Sequence, residues 1–356
     1  MNALARDAAP AAAIDRFSYT RCPAVPTISA LAASLGVAED ELGHQPGLEL
    51  LTKSIGFTGK LDYAHEDRLW VRNAGHGPAV WAHAQGVASK VIALAWLEGH
   101  YPVYARGGEL GGVAALKGRR LGVVRQKDTP FDLLWAQQLK LYTTTLATAG
   151  LSLDDVQLVA LWRDKPTPGA PRKHGAQTFG ADIALRALVR GEVDAIALRL
   201  PQETADLLQL EVLYDTHDHP DPLARVHPSV LRGIVVSDAV IAERRDELVR
   251  LLARLLAVGE WALEHPRQAL ERVAADLQFT PQQLEASYDS VAQGIQIDLN
   301  PTLVDALRVQ KDFLLQHGLI AGDFDVDAWV DGSVLTDARA LLQRWKQAGT
   351  LPALPD

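Results

Sequence analysis

A stretch near residue 70 combines three features that together suit the binding of an anion. The sequence predicts a short apolar strand from Leu69 that ends at Arg72, then a glycine-bearing turn over residues 73–77 and a helix that opens at Pro78. Arginine presents a planar fork of donors that matches a two-oxygen anion. Glycine lets the backbone approach a ligand, and the first turn of a helix carries unpaired N–H groups with a partial positive charge. Arg72 and Gly75 are therefore predicted to hold an anionic group, although the pattern also fits an ordinary strand–turn–helix with a surface arginine.

The only cysteine of the chain is the second candidate for chemistry. Cys22 follows a predicted strand, residues 17–21, and precedes Pro23. A nearby arginine or helix N-terminus lowers the pKa of a thiol, and a neighbouring histidine can hold or exchange its proton. A lone cysteine is also commonly an inert core residue. Its role therefore depends on whether it faces the same crevice as Arg72.

Length and charge narrow the classes of function. The chain has 356 residues, of which 48% are hydrophobic, and a formal net charge of −9. The length suggests two lobes, and the absence of a basic block argues against nucleic acid or an anionic membrane as a partner. No apolar run approaches the ~20 residues needed to span a bilayer. Charged residues interrupt the alanine-rich N-terminus, which is not typical of a secretory signal. We expect a cytoplasmic monomer without a membrane segment.

Strand and helix patterns alternate along the chain and predict an α/β fold with parallel or mixed sheets. The part beyond residue 238 is predicted to be mostly helical, with helices at 238–264, 266–276, 281–293, 301–317 and 336–347. Three segments resemble the type II periplasmic-binding-protein fold: LKGRRLGV at 116–123, ALVRGEVDAIAL at 187–198 and VLRGIVVS at 230–237. The resemblance implies a first lobe of residues 1–115 plus 230–356 and a second lobe of residues 116–229. A ligand would lie in the cleft between them.

Within that fold the chain resembles the 2′-hydroxybiphenyl-2-sulfinate desulfinase family. The residues that carry the resemblance are Tyr19 to Pro23, Arg72 to Gly75 with Pro78, WALEHP at 261–266 and QKDFLLQHGLIAGDFDVDAWVD at 310–331. The resemblance implies a hydrolase that needs no cofactor and releases sulfite from an aromatic or related sulfinate. Cys22 and Arg72 would be catalytic, with Cys22 acting either as the nucleophile toward sulfur or as the proton donor to carbon. Arg72 and the Gly75 amide would hold the sulfinate oxygens.

The chain departs from the family pattern at the histidine. The family has its active-site histidine ten residues before the arginine, and this chain has Asp62 there. The nearest histidine is His65, which we take as the catalytic histidine. Three residues of extended chain correspond to ~10 Å and the opposite face. Asp62 and His76 therefore remain alternatives beside Cys22.

Other candidate residues concern the pocket and a metal. Trp96 and Tyr101 flank the end of a predicted buried strand and are predicted to line the substrate pocket. The cluster of His217, Asp218 and His219 with Asp215, Asp221 and His227 resembles a metal site, but such runs in proline-broken loops are usually solvated, so no metal is expected. The alternative function is a solute-binding protein of an ABC importer for a sulfonate or another small organic ligand. In both cases the expected partner is a small anionic organosulfur compound.

Overall fold

The computed structural model describes residues 17–22, 25–37, 68–163 and 180–354, which form two β-sheets covered by helices. The first sheet has four strands in the order β1-β2-β9-β3: β1 is Phe17–Arg21, β2 Leu69–Gly75, β3 Ser89–Trp96 and β9 Leu231–Ser237. Strand β1 runs parallel to β2, whereas β9 runs antiparallel to both β2 and β3. The carboxyl ends of β1, β2 and β3 therefore lie at one end of the sheet, together with the start of β9. We call this end of the strands the sheet edge.

The second sheet has five strands in the order β6-β5-β7-β4-β8. They are β4 Pro102–Arg106, β5 Arg120–Gln126, β6 Gln157–Arg163, β7 Ala195–Ala197 and β8 Leu210–Asp215. Strand β5 is parallel to β6 and β7, and β4 is antiparallel to β7 and β8. The lobe boundaries given above stay a prediction. One strand, β4, belongs to this sheet although it precedes residue 116.

Thirteen α-helices lie within the described ranges. They are α1 Ile28–Ser34, α2 Gly77–Ala84, α3 Leu133–Ala147, α4 Ala181–Val189, α5 Gln202–Leu207, α6 Asp238–Glu243, α7 Arg245–Glu264, α8 Pro266–Leu277, α9 Pro281–Glu285, α10 Val291–Gly294, α11 Pro301–Gln316, α12 Val326–Trp329 and α13 Ser333–Ala348. The helical C-terminal region is thus confirmed, although two of the predicted helices are each divided into two. The helix expected over 238–264 breaks at Arg244, whose backbone leaves the helical region, and that over 281–293 divides into α9 and α10. No described helix has the combined length and apolar character that crossing a bilayer requires.

The four-stranded sheet is buried on both faces because successive side chains along its strands point to opposite sides. Leu69, Val71 and Ile234 pack with helices α1, α7 and α8 on one face. Trp70 and Val235 pack on the other face with α2, α11 and the start of α3. Full burial of each such side chain contributes about 1.5–3 kcal/mol, so the sheet is a rigid support for whatever lies at its edge.

Strand β2 is longer than the sequence predicted, and this changes the geometry near residue 75. The strand continues through Gly75, paired with Arg232 of β9, instead of ending at Arg72. Helix α2 then begins at Gly77, with Pro78 in its first turn and His76 at the N-cap. The predicted five-residue turn is therefore wrong. Hydrogen bonds to β9, which local sequence does not reveal, extend the strand.

Candidate functional site

Cys22 lies at the edge of the sheet where β1 ends. Its amide donates to the Asn73 carbonyl oxygen at 2.9 Å, so the parallel pairing of β1 with β2 continues one residue beyond β1. In that register residue 20 is opposite Arg72. Because side chains alternate along a strand, Cys22 is on the same face of the sheet as Arg72. The thiol is half-buried, which leaves it within reach of a small molecule.

Asn73 fixes this edge to the neighbouring elements. Its side-chain oxygen accepts from the Ser29 hydroxyl at 2.7 Å and the Ser29 amide at 3.3 Å, and its side-chain nitrogen donates to the Gly233 carbonyl at 3.2 Å. Ser29 also hydrogen bonds with Tyr19. One buried amide thereby ties together α1, β2 and β9. The backbone that positions Cys22 and Arg72 is held by the same group.

Arg72 is a buried charge with incomplete hydrogen bonding. Its side chain is 3% exposed. Nη1 donates to the Gly75 carbonyl oxygen at 3.0 Å, and buried Nε has no partner. No carboxylate in the described ranges forms an ion pair with it. Burial of an uncompensated charge is expensive, so an anionic ligand is the natural partner for this guanidinium.

A second buried arginine, Arg232, lies at the same edge and was missed in the sequence. It is 1% exposed, its Nη1 donates to the Leu231 carbonyl at 3.3 Å, and both Nε and Nη2 are buried without a partner. A methyl group on Gly75 would lie 3.0 Å from the Pro228 carbonyl oxygen and 4.0 Å from Arg232 Nη1. The available signal was the charged residue inside the apolar strand pattern LRGIVVS. Gly75 and Arg232 are therefore neighbours, as their pairing in the sheet requires. By the alternation of side chains, Arg232 starts from the face of Gly75 and Ile234, opposite to that of Arg72 and Cys22.

His76 lies next to these two cations and is held in its neutral form. It is 1% exposed, its Nδ1 is 3.1 Å from the Leu231 carbonyl oxygen, and Nε2 is buried without a partner. Burial is the main cause that lowers its pKa to about 3, and the charges of Arg232 and Arg72 act in the same direction, against the hydrogen bond with Leu231. Because Nδ1 must carry the proton to donate to a carbonyl, Nε2 is an acceptor.

Tyr101 belongs to an adjoining cluster of aromatic and cationic side chains. The guanidinium of Arg199 lies between two phenol rings, 4.3 Å from the Tyr101 centroid and 4.1 Å from that of Tyr288. Its Nη2 is buried without a partner. The Tyr101 ring also meets His227 edge-on, at 4.6 Å between centroids. Burial lowers the pKa of His227 well below its ordinary value, and the charges of Arg232 and Arg199 add to this.

Trp96 lines a different hollow. Its indole nitrogen donates to Glu98 at 2.8 Å, and both residues border an open cavity of about 360 Å³. The other lining residues are Pro222, Asp289, Ser290, Gln293, Gly294 and Thr302. Trp96 and Tyr101 were predicted to line the substrate pocket together. Trp96 borders this cavity and Tyr101 contacts Arg199, and their role in substrate binding stays a prediction. His65 and Asp62 lie outside the described residues.

Comparison with known proteins supports the fold but leaves the activity open. No family model matches the chain, and no curated protein matches it. Among solved structures, the desulfurization enzyme DSZB and a mutant of it in complex with biphenyl-2-sulfinic acid are each 19% identical over 91% of this chain and 99% of theirs, with a TM-score of 0.66. The periplasmic sulfonate-binding protein SsuA from Methylobacillus flagellatus KT is 13% identical over 96% of this chain and 98% of that one, with a TM-score of 0.64.

The aliphatic sulphonate binding protein SsuA from Escherichia coli is 17% identical over 88% of this chain and 92% of its own, with a TM-score of 0.57. At these identities the likeness establishes the fold alone. The predicted two-lobed, type II periplasmic-binding-protein-like α/β fold is confirmed. This fold is shared by a desulfurization enzyme and by sulfonate-binding proteins.

Proposed function

We propose that the protein binds an organic sulfinate at this sheet edge and hydrolyses its carbon–sulfur bond, releasing sulfite without a cofactor. The observation that carries the proposal is that Cys22 shares a sheet face with Arg72. The Arg72 guanidinium alone would be enough to bind an anion. The Cys22 thiol on the same face adds a group that can react with the bound anion. The proposal includes that the protein is a monomer in the cytoplasm, a compartment in which thiols stay reduced.

The reaction balances with water as the only co-reactant. The sulfinate R–SO₂⁻ and H₂O give R–H and HSO₃⁻: the carbon–sulfur bond breaks, the carbon takes a proton, and the sulfur takes hydroxide. Cys22 can contribute in either of two ways, by attacking sulfur or by protonating carbon. Arg72, with the Gly75 amide, would hold the sulfinate oxygens while their charge changes during cleavage.

Electrostatics at the edge favour an anion with little competition from protein carboxylates. Arg72 and Arg232 each have buried N–H groups without a partner. The neutral His76 adds an acceptor, Nε2, that suits a hydroxyl or a protonated oxygen of a ligand. An anion in a site of this kind gains charge-assisted hydrogen bonds and removes the penalty of the buried cations.

A second function, solute binding without turnover, is supported by the same arginines. Neighbours of this fold include periplasmic sulfonate-binding proteins. The buried guanidinium of Arg72 can accept a sulfonate as readily as a sulfinate, because both anions present oxygen acceptors. The two functions differ in what they require of Cys22. A binder requires no thiol chemistry, whereas the hydrolase loses turnover without it.

The test is sulfite release from biphenyl-2-sulfinate, the anion of the ligand in the DSZB complex. We expect turnover by the natural sequence and a decrease in Cys22→Ser of about 100-fold to 10,000-fold, the range for a positioned acid–base group. Ligand affinity, measured by calorimetry, should change little in the same variant. Ser34→Ala, on an exposed position of α1, is the control and should retain full turnover.

Two results separate the alternatives. Tight binding without sulfite release by the natural sequence supports the solute-binding function. Sulfite release that is unchanged in Cys22→Ser contradicts the assignment of Cys22, even though the protein would still be a desulfinase.

A further inference from the structure

Three side chains that could bind a metal ion converge from distant parts of the chain, outside the sheet edge described above. His100 lies between β3 and β4, His217 in a short 3₁₀ turn after β8, and Asp289 between α9 and α10. One ligand atom from each lies within 4.8 Å of the others. His100 Nε2 is 3.6 Å from one Asp289 oxygen, and His217 Nε2 is 2.8 Å from the other.

The two imidazoles are oriented for coordination through Nε2. His100 Nδ1 is 2.9 Å from Asp215 Oδ2, and the other oxygen of Asp215 accepts the amides of Tyr101 and His217, each at 3.1 Å. A histidine that donates Nδ1–H to a carboxylate leaves the Nε2 lone pair for a metal, as in carboxylate–histidine–zinc arrangements. The same carboxylate fixes His100 and the backbone of His217, so Asp215 acts as the positioning residue for both.

We propose that His100, His217 and Asp289 bind a divalent transition-metal ion of the Zn²⁺ type. Two imidazoles and one carboxylate are a ligand set that Zn²⁺ accepts, with a fourth position left open. Ligand atoms at ~2.1 Å from a tetrahedral ion lie ~3.4 Å apart. The two oxygens of Asp289 lie 3.6 Å from His100 Nε2 and 2.8 Å from His217 Nε2, on either side of this spacing. With one atom from each residue within 4.8 Å of the others, rotation of these partly exposed side chains by about 1 Å brings the set to the tetrahedral spacing.

The residues around the proposed metal site leave one coordination position accessible. Glu98 lies 3.9 Å from His217 Nε2, and its oxygens accept from Trp96 Nε1 at 2.8 Å and from Arg225 Nη1 at 3.0 Å. Since those donors already occupy it and Arg225 compensates its charge, Glu98 stays outside the ligand set. Asp289 and Glu98 both line the open cavity of about 360 Å³, so the fourth position is reachable by water or a ligand.

The ion would connect parts of the molecule that belong to different sheets. His100 lies on the connection from the four-stranded to the five-stranded sheet, and His217 follows the last strand of the latter. Asp289 comes next to Tyr288, which packs in the core under the four-stranded sheet. A bound ion is thus a cross-link between the two sheets, and it stabilises the fold in proportion to the logarithm of its concentration.

This site differs from the histidine cluster that was noticed in the sequence. His219 contacts Asp221 in its own turn, and His227 is buried against Tyr101. Of that cluster, His217 is the one proposed ligand and Asp215 positions it. The other two ligands are more than seventy residues away on one side and more than a hundred on the other. Local spacing therefore did not reveal it.

The test is Zn²⁺ binding to untagged protein, measured by calorimetry in a Cys22→Ser background so that the thiol cannot act as a ligand. We expect one ion per chain and a loss of affinity of at least about 10-fold in Asp289→Asn and in His217→Ala, because removing a ligand costs no less than removing an outer-shell partner. His219→Ala, from the same turn, is the matched control and should bind like the parent. Zn²⁺ should also raise the unfolding temperature of the parent and of His219→Ala but not of the other two.

Asp289→Asn keeps the proposal falsifiable if His217→Ala does not fold, because the Asp289 side chain is 49% exposed and its isosteric replacement leaves the core intact. Equal Zn²⁺ affinity in the parent and in Asp289→Asn overturns the proposal. Absence of binding by the parent, while it remains folded by circular dichroism, overturns it as well.

Discussion

At the scale of single residues, two buried arginines lie at the edge of the sheet that carries the candidate site. Arg72 and Arg232 are 3% and 1% exposed, and neither has an ion-pair partner in the described part of the chain. Natural proteins keep such unfavourable groups where a ligand compensates them, at the expense of stability. Arg72 could be predicted because a glycine and a helix start follow it closely. Arg232 became visible only once β9 was paired with β2.

Replacing Arg232 should therefore stabilise the protein and weaken binding together. In Arg232→Met we expect the free energy of unfolding without ligand to rise by about 1–3 kcal/mol, because an uncompensated buried charge is removed. Sulfinate affinity should fall by at least 10-fold. Urea denaturation and calorimetry measure the two effects, and Arg119→Met, at an exposed position, is the control. A variant that is destabilised and still binds normally would show that Arg232 is a structural residue.

His76 gives a prediction about pH. Its pKa is lowered from 6.5 to about 3 in the folded protein, so below pH 6.5 the unfolded chain takes up a proton that the folded protein does not. The contribution of His76 to stability is thus complete above pH 6.5 and is lost progressively as the pH falls toward 3.

Between pH 7.5 and 5.0 this group alone should decrease the free energy of unfolding by about 2 kcal/mol. His76→Gln should show a pH dependence that is smaller by that amount, whereas His219→Gln should follow the natural sequence. Urea denaturation at the two pH values measures the difference. An unchanged pH dependence in His76→Gln would mean that His76 titrates normally.

At the scale of elements, the register of β1 on β2 positions the thiol. The sequence predicts both strands, and it predicts that Arg72 and Gly75 lie close together because only two residues separate them. The sequence does not show that β2 continues to Gly75, because its last residues pair with β9 more than 150 positions later. His65 and Asp62 precede β2 in the part of the chain outside the described residues. Their role beside Cys22 stays a prediction.

Replacing Asn73 tests whether its buried side-chain amide stabilises the pairing of β1 with β2. Asn73→Ala removes three hydrogen bonds, to the Ser29 hydroxyl, the Ser29 amide and the Gly233 carbonyl. We expect the free energy of unfolding to fall by about 2–3 kcal/mol, because buried partners are left unsatisfied. Asn300→Ala, which removes the N-cap of α11, should lower it by about 1 kcal/mol. A smaller effect at position 73 than at 300 would argue against the network.

At the scale of the whole molecule, the α/β class follows from the alternation of strand and helix patterns, which are local features, whereas the two lobes were expected from the chain length and from the family resemblance. The order of strands within each sheet does not follow, since it depends on pairings between distant segments. Strand β4, for example, joins β7 and β8 of the second sheet. The same limit applies to function, because Cys22 and Arg72 share a face only through the pairing of β1 with β2.

The rate of alkylation of Cys22 by iodoacetamide tests most directly whether the thiol and the arginine share one site. The chain has a single cysteine, so every alkylated product reports this residue. We expect a sulfinate to protect the thiol in a saturable manner, with a midpoint equal to the dissociation constant from calorimetry, and we expect protection to disappear in Arg72→Met. Alkylation that proceeds at the same rate with saturating ligand would place Cys22 outside the anion site and contradict the proposed hydrolase.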